Sequence, residues 1–197
     1  MTIEAHQDPC DLFDSWWQDA RNAGMKYPNA VSLATVDAEG MPAVRMVLVK
    51  GVEPRGFVFY TNLESVKATH LAANPRAALC YYWDILGRQV RVRGPVESVT
   101  DEEADAYFAT RPRISQIGAW ASAQSRPLES REALLARVKT LESEYDGRDV
   151  PRPPHWSGYR VLPVQIEFWQ EGEYRLHDRV QYNRTDGGEW TCRFLNP

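Results

Sequence analysis

The sequence predicts a mainly β protein, an antiparallel barrel flanked by helices. Three observations carry that reading. Apolar, alternating segments recur between turn residues in the first hundred positions. Helical spacing dominates the middle of the chain, and strand patterns return at the end. There is no βαβ alternation and no glycine fingerprint of a doubly wound dinucleotide fold. With 197 residues, 43% of them apolar and 25% charged, the chain can build one domain with a sizeable core.

Asp8-Pro9 reads as an N-cap with proline at the first helical position. Leu12, Phe13, Trp16, Trp17, Ala20 and Ala23 follow at helical spacing, up to Gly24. Ala30 to Val36 and Ala43 to Lys50 read as a hairpin around Asp37-Ala38-Glu39-Gly40. Gly56 to Thr61 is a third strand, and a short helix from Ser65 to Ala73 stops before Asn74-Pro75. Ala77 to Trp83 and Gln89 to Val99 are strands joined by Asp84-Ile85-Leu86-Gly87. Thr100 and Glu103 form a capping box for a helix that reaches Thr110, where Arg111-Pro112 stops it.

Further helices are expected over Ile114–Ala121 and Glu129–Tyr145, the second with Leu134, Leu135, Val138 and Leu141 on its apolar face. A proline-rich connector covers 148–154. The last strands are expected over Tyr159–Trp169, Arg175–Asn183 and Trp190–Phe194, with a hairpin turn at Thr185-Asp186-Gly187-Gly188. The chain is expected to be a single domain over 1–197, with an N-terminal helix at about 9–24.

A net charge of −4 disfavours wholesale nucleic-acid binding, so basic clusters must be local sites. Cys10, Cys80 and Cys192 have no metal-ligand spacing, and the four histidines are scattered at 6, 70, 155 and 177. No metal is expected. The N-terminal residues lack a basic and an apolar region, and no apolar run approaches a membrane span. The cytoplasm is the expected location. There is no nucleophile elbow, and the carboxylates at 102 and 103 or 142 and 144 read as solvated helix faces.

Anion-binding patterns stand out instead. Arg175, His177 and Arg179 lie within five residues. If extended, they point to one side and suit an anionic aromatic ligand; a solvated edge strand is the alternative. Arg45 and Lys50 are five apart on a strand, so they face opposite sides unless the strand bends. Tyr60-Thr61-Asn62, Ser65 and Lys67 at a helix start suit a phosphate, or merely cap the helix. Tyr107, Arg111 and Ser115 would align on one helix face and enclose a second phosphate, although Pro112 interrupts them.

Together these segments resemble the pyridoxine/pyridoxamine 5′-phosphate oxidase family. The segments that carry the likeness are Pro28-Asn29-Ala30, Arg45 to Lys50, Phe57 to Asn62, Arg88-Gln89-Val90, Arg111-Pro112, Ser115 to Trp120, Gln124-Ser125, Ile166 to Gln170 and Arg175 to Arg179. The resemblance implies an FMN-binding split β-barrel, homodimeric, with a C-terminal dimerisation and active-site segment at about 156–197. It implies FMN contacts at Arg45, Met46, Leu48, Lys50, Tyr60, Thr61, Lys67, Gln89, Gln124, Ser125, Trp169 and Arg179. It implies substrate contacts at Lys50, Tyr107, Arg111 and Ser115, with Arg175 and His177 as the catalytic residues that hold the pyridine ring. The implied reaction is oxidation of pyridoxine or pyridoxamine 5′-phosphate to pyridoxal 5′-phosphate with reduction of O2 to H2O2. Val66 stands where the family has arginine, which removes one contact to the FMN phosphate. Tyr27 stands where glutamate is common, and the N-terminal arm is short. The alternatives are a phenazine-type FMN oxidase and a non-catalytic flavin- or haem-binding split barrel.

Overall fold

A computed structural model describes residues 3, 8–53 and 55–197. The remaining N-terminal residues read above, His6 among them, lie outside the described set. The strands are β1 (Ala30–Val36), β2 (Pro42–Glu53), β3 (Gly56–Asn62), β4 (Arg76–Trp83), β5 (Arg88–Ser98), β6 (Trp156–Val161), β7 (Gln165–Gln170), β8 (Asp178–Arg184) and β9 (Trp190–Phe194). The helices are α1 (Pro9–Asn22), α2 (Val66–Ala73), α3 (Asp101–Ala109), α4 (Arg113–Ala121) and α5 (Arg131–Glu144). Every pairing is antiparallel, in the order β4-β1-β2-β3-β6-β5-β7-β8-β9. A further β4–β5 pairing closes the first six strands into a barrel, and β7, β8 and β9 extend from β5.

Strand β5 makes this split possible. Its first half, Arg88 to Arg93, pairs with β7, and its second half, Val96 to Ser98, pairs with β6. The segment expected as one strand from Tyr159 to Trp169 is therefore two strands. Leu162-Pro163-Val164 turns the corner between them, with Leu162 N–H donating to Pro95 O (2.9 Å) and Val164 N–H to Arg93 O (3.0 Å). Proline cannot donate to a ladder, which favours the break. The corner closes on Gly94, where an added Cβ would lie 1.8 Å from Leu162 O. Gly94→Ala must push backbone against backbone. It should cost about 3 kcal/mol, a fall in Tm of roughly 6–12 °C for a chain of this size, measurable by calorimetry.

Helix α1 packs its apolar face against the barrel core because its sequence is amphipathic and capped. Asp8 accepts from Cys10 N–H at 2.8 Å, and Leu12, Phe13, Trp16 and Ala20 are buried. Phe13 meets Phe57, Tyr81 and Trp83 within 5.9 Å. Arg88 lies 4.5 Å over the Trp16 ring and pairs with Asp19, tying α1 to β5. The capping box of α3 is formed as expected. On α5, Leu134, Val138 and Leu141 are half-buried, but Leu135 is exposed, so the apolar face is narrower than expected. Strand β8 begins at Asp178 rather than Arg175. Among the described residues, no helix is long and apolar enough to cross a membrane.

Candidate functional site

One cavity of about 630 Å3 opens between β2, the end of β3, α2, α3 and α4. Met46, Leu48, Lys50, Tyr60, Thr61, Lys67, Tyr107, Arg111, Ser115 and Gln124 all line it. These are ten of the positions singled out in the sequence.

A cationic cradle lies around Lys67 on the cavity wall. Lys67 stands in the first turn of α2, and its Nζ donates to Gln124 Oε1 (2.8 Å), Thr61 Oγ1 (3.0 Å) and Ser65 Oγ (3.1 Å). Burial, and then the nearby charge of Arg45, lowers its pKa to about 8. Arg45 lies on the opposite face of β2 from Lys50, as alternation requires, and the register slips by one residue between Val49 and Gly51. Its Nη1 is held by Leu33 O (3.0 Å), Ala43 O (3.0 Å) and Thr35 Oγ1 (2.7 Å). Its Nε and Nη2 have no acceptor, and neither cation has a carboxylate partner, among the described residues. Two neighbouring cations without a counter-charge fit a phosphate, and a free Nε/Nη2 edge fits bidentate binding. Val66 is half exposed beside this cradle and adds no charge.

On the wall formed by α3 and α4, Tyr107, Arg111 and Ser115 converge, but not on a continuous helix. Helix α3 ends at Ala109, and Pro112 caps α4. The break brings all three to the cavity wall. Arg111 stacks 4.8 Å over Trp156 and 5.5 Å over Phe108. Its Nη1 is buried without a hydrogen-bond partner among the described residues, and burial lowers its pKa. Tyr60, Tyr107 and Trp156 form a cluster of nearly parallel rings, with Tyr60 4.1 Å (11°) from Tyr107 and 5.3 Å (3°) from Trp156. Sequence reasoning missed Trp156, along with Thr110 and Ser122 on the same wall. A tryptophan just after a proline-rich connector gave no period or motif to mark it.

The remaining positions form a second group away from this cavity. Gln89, Trp169 and Arg179 are direct partners across β5, β7 and β8. Arg179 donates to Glu167 Oε1 from Nε (3.0 Å) and Nη2 (2.8 Å), and to Asn196 O from Nη1 (2.8 Å). Arg175 and His177 are not on a strand, so the expected one-sided row with Arg179 does not form. Arg175 ends a 3-10 turn in which Tyr174 and Arg175 have φ of 54° and 65°. His177 packs 4.6 Å from Trp169, and its Nδ1 accepts from Gly172 N–H at 3.2 Å. The neutral imidazole therefore carries its hydrogen on Nε2. Ser125, with φ of 68°, is exposed beyond Gln124. Gln89, Ser125, Trp169, Arg175, His177 and Arg179 do not line the cavity of their own chain, and neither does Arg45, which stands behind Lys67.

Residues 18–145 match the family model described as pyridoxamine 5′-phosphate oxidase. The chain belongs to the pyridoxamine 5′-phosphate oxidase family. Residues 156–197 match the pyridoxine 5′-phosphate oxidase C-terminal dimerisation region. A pyridoxine/pyridoxamine 5′-phosphate oxidase from Azorhizobium caulinodans is 62% identical over 180 residues, covering 91% of this chain and 85% of that one. Another, from Chelativorans sp., is 55% identical over 190 residues, covering 96% and 91%. In structure, PhzG from Burkholderia lata 383, solved with tetrahydrophenazine-1-carboxylic acid, superposes with a TM-score of 0.91 at 33% identity, covering 96% of this chain and 93% of that one. A pyridoxamine 5′-phosphate oxidase-related, FMN-binding protein from Nostoc punctiforme shares the fold, with a TM-score of 0.78 at 21% identity over 97% and 99% of the two chains. The protein is thus an FMN-dependent oxidase of this family, with FMN as its cofactor. The donors of the Lys67 cradle fit that cofactor's phosphate.

Proposed function

We propose that the protein oxidises pyridoxine 5′-phosphate or pyridoxamine 5′-phosphate to pyridoxal 5′-phosphate, with O2 reduced to H2O2, as a cytoplasmic homodimer. The whole chain acts as one FMN-binding split-barrel domain, with its C-terminal segment at the dimer interface. The observation that carries this reading is the buried Arg111 Nη1, without a hydrogen-bond partner among the described residues, in the same cavity as Lys67. A cofactor needs one phosphate site; a second cationic site implies a second phosphate. Three free thiols support a reducing compartment.

FMN, when bound, supplies the electron acceptor for oxidation at substrate C4′ and passes the electrons to O2. Arg45, Thr61, Lys67, Gln124 and Ser125 hold its phosphate end, and Met46, Leu48, Lys50 and Tyr60 line its path. Arg111, Tyr107, Ser115 and Lys50 hold the substrate phosphate. Gln89, Trp169, Arg175, His177 and Arg179 complete the site from the partner chain. Arg175 covers the pyridine ring and orients it. His177 donates from Nε2, because Gly172 N–H occupies Nδ1.

Oxygen uptake by the purified, FMN-loaded protein tests this directly. Pyridoxamine 5′-phosphate should support turnover and unphosphorylated pyridoxamine should support little. Equal rates with both would remove the second phosphate site. The PhzG likeness favours one other reading, oxidation of a reduced phenazine. Such a substrate offers Arg111 a carboxylate in place of a phosphate, so turnover of a reduced phenazine-1-carboxylate alone would reverse the assignment. No oxygen uptake with any substrate would leave a flavin or haem binder.

Lys67 adds a pH dependence. The phosphate contact needs the ammonium form, which the free protein loses above about pH 8. A bound phosphate raises the pKa of Lys67, so binding takes up a proton above that pH. The FMN dissociation constant should therefore rise with pH above 8, by at most about tenfold per unit. Lys67→Arg keeps its charge and should flatten the curve. Flavin fluorescence titrations from pH 7.5 to 9.5 measure both, and a flat wild-type curve would take Lys67 off the phosphate.

A further inference from the structure

We infer that Thr35 and His70 are positioning residues for FMN, acting through Arg45; the inference rests on the reading of Arg45 as a ligand of the FMN phosphate. Neither side chain lines the cavity, and Arg45 reaches it only as the neighbour of Lys67, which does. Thr35, on β1, is 1% exposed. Its Oγ1 lies 2.7 Å from Arg45 Nη1 and 3.1 Å from Nδ1 of His70, in the last turn of α2.

The proton count fixes the direction of this chain. A guanidinium only donates, so Thr35 Oγ1 accepts from Arg45. A hydroxyl has one hydrogen, and among the described residues the other group within reach is His70 Nδ1. Thr35 therefore donates to His70, which carries its own hydrogen on Nε2. With the hydrogen on Nδ1 instead, the Thr35 hydroxyl hydrogen is left without an acceptor in a buried site, an arrangement folded proteins avoid. His70 thus turns the Thr35 lone pairs toward Arg45. Together with Leu33 O and Ala43 O, this fixes Nη1 and leaves the Nε and Nη2 edge free on the guanidinium. The same helix carries Lys67, so α2 sets both cations of the cradle, one directly and one through β1. Arg45 keeps its fork geometry without any carboxylate, whose charge would compete with the phosphate.

The test compares FMN with riboflavin, which lacks the phosphate, by fluorescence titration of the full-length apoprotein. Thr35→Val keeps the shape and removes the hydroxyl. It should weaken FMN about tenfold, the scale of one hydrogen bond to a charged group, and leave riboflavin within twofold. Thr35→Ser should restore FMN binding. His70→Leu should weaken FMN selectively, and His70→Asn, which keeps an acceptor near Nδ1, should recover it. Equal losses for both flavins, or no loss for either, would overturn the positioning role. Arg45→Ala separates the two claims. If it weakens FMN and riboflavin equally, the phosphate reading of Arg45 itself fails. If it discriminates while Thr35→Val does not, only the relay fails.

Discussion

Arg111→Ala should raise the KM for pyridoxamine 5′-phosphate by roughly 10- to 150-fold, the equivalent of about 1.5–3 kcal/mol for a lost charge-assisted contact. FMN content should stay near wild type, because Arg111 takes no part in the hydrogen bonds of the cradle around Lys67. Thermal stability should not fall in step. Arg111 Nη1 has no partner among the described residues, so the substitution removes a buried, unsatisfied donor rather than a hydrogen bond. Oxidation of unphosphorylated pyridoxamine should be slow and unaffected. A variant that loses FMN along with substrate affinity would place Arg111 on the cofactor instead.

The second large effect comes from mixing chains. The cavity group and the group around Arg175 and His177 are separate within one chain. If each site takes one group from each protomer, Arg111→Ala and Arg175→Ala homodimers are both weak, for different reasons. A dimer with one chain of each kind then has one doubly altered site and one intact site. Random association makes half the dimers mixed, so co-expression should recover about a quarter of wild-type activity. Arg175→Ala alone should lower kcat/KM through poorer orientation of the reacting carbon. If the mixture only averages its two parents, Arg175 serves the cavity of its own chain.

The barrel and most of its elements were legible because alternation and caps are local signals. Asp8-Pro9 and the Thr100–Glu103 box mark helix starts whatever surrounds them. The break at Leu162-Pro163-Val164 was hidden, since it depends on the backbone of β5 passing at Gly94, nearly seventy residues earlier. Tyr107, Arg111 and Ser115 do meet on a common wall, and the break expected at Arg111-Pro112 is present there. It is the proline break and not a continuous helix face that brings them together. Trp156 and Thr35 were invisible for a shared reason. Each acts by touching an arginine on another element, and no spacing rule within one element encodes such a contact.

The turn at Tyr174 and Arg175 bears on how this enzyme would respond to selection for heat resistance. A side chain in a left-handed conformation costs about 1–2 kcal/mol, while glycine there gives back about 0.5–1 kcal/mol in chain entropy. Tyr174→Gly should thus be a net gain of up to about 1 kcal/mol, visible as a Tm higher by roughly 2–4 °C. Such a substitution touches no buried contact, since Tyr174 is 89% exposed, and a screen for thermostability would find it readily. It would also loosen the segment that presents Arg175 and His177. Turnover should fall as stability rises, which makes this turn a place where robustness and catalysis are in direct competition.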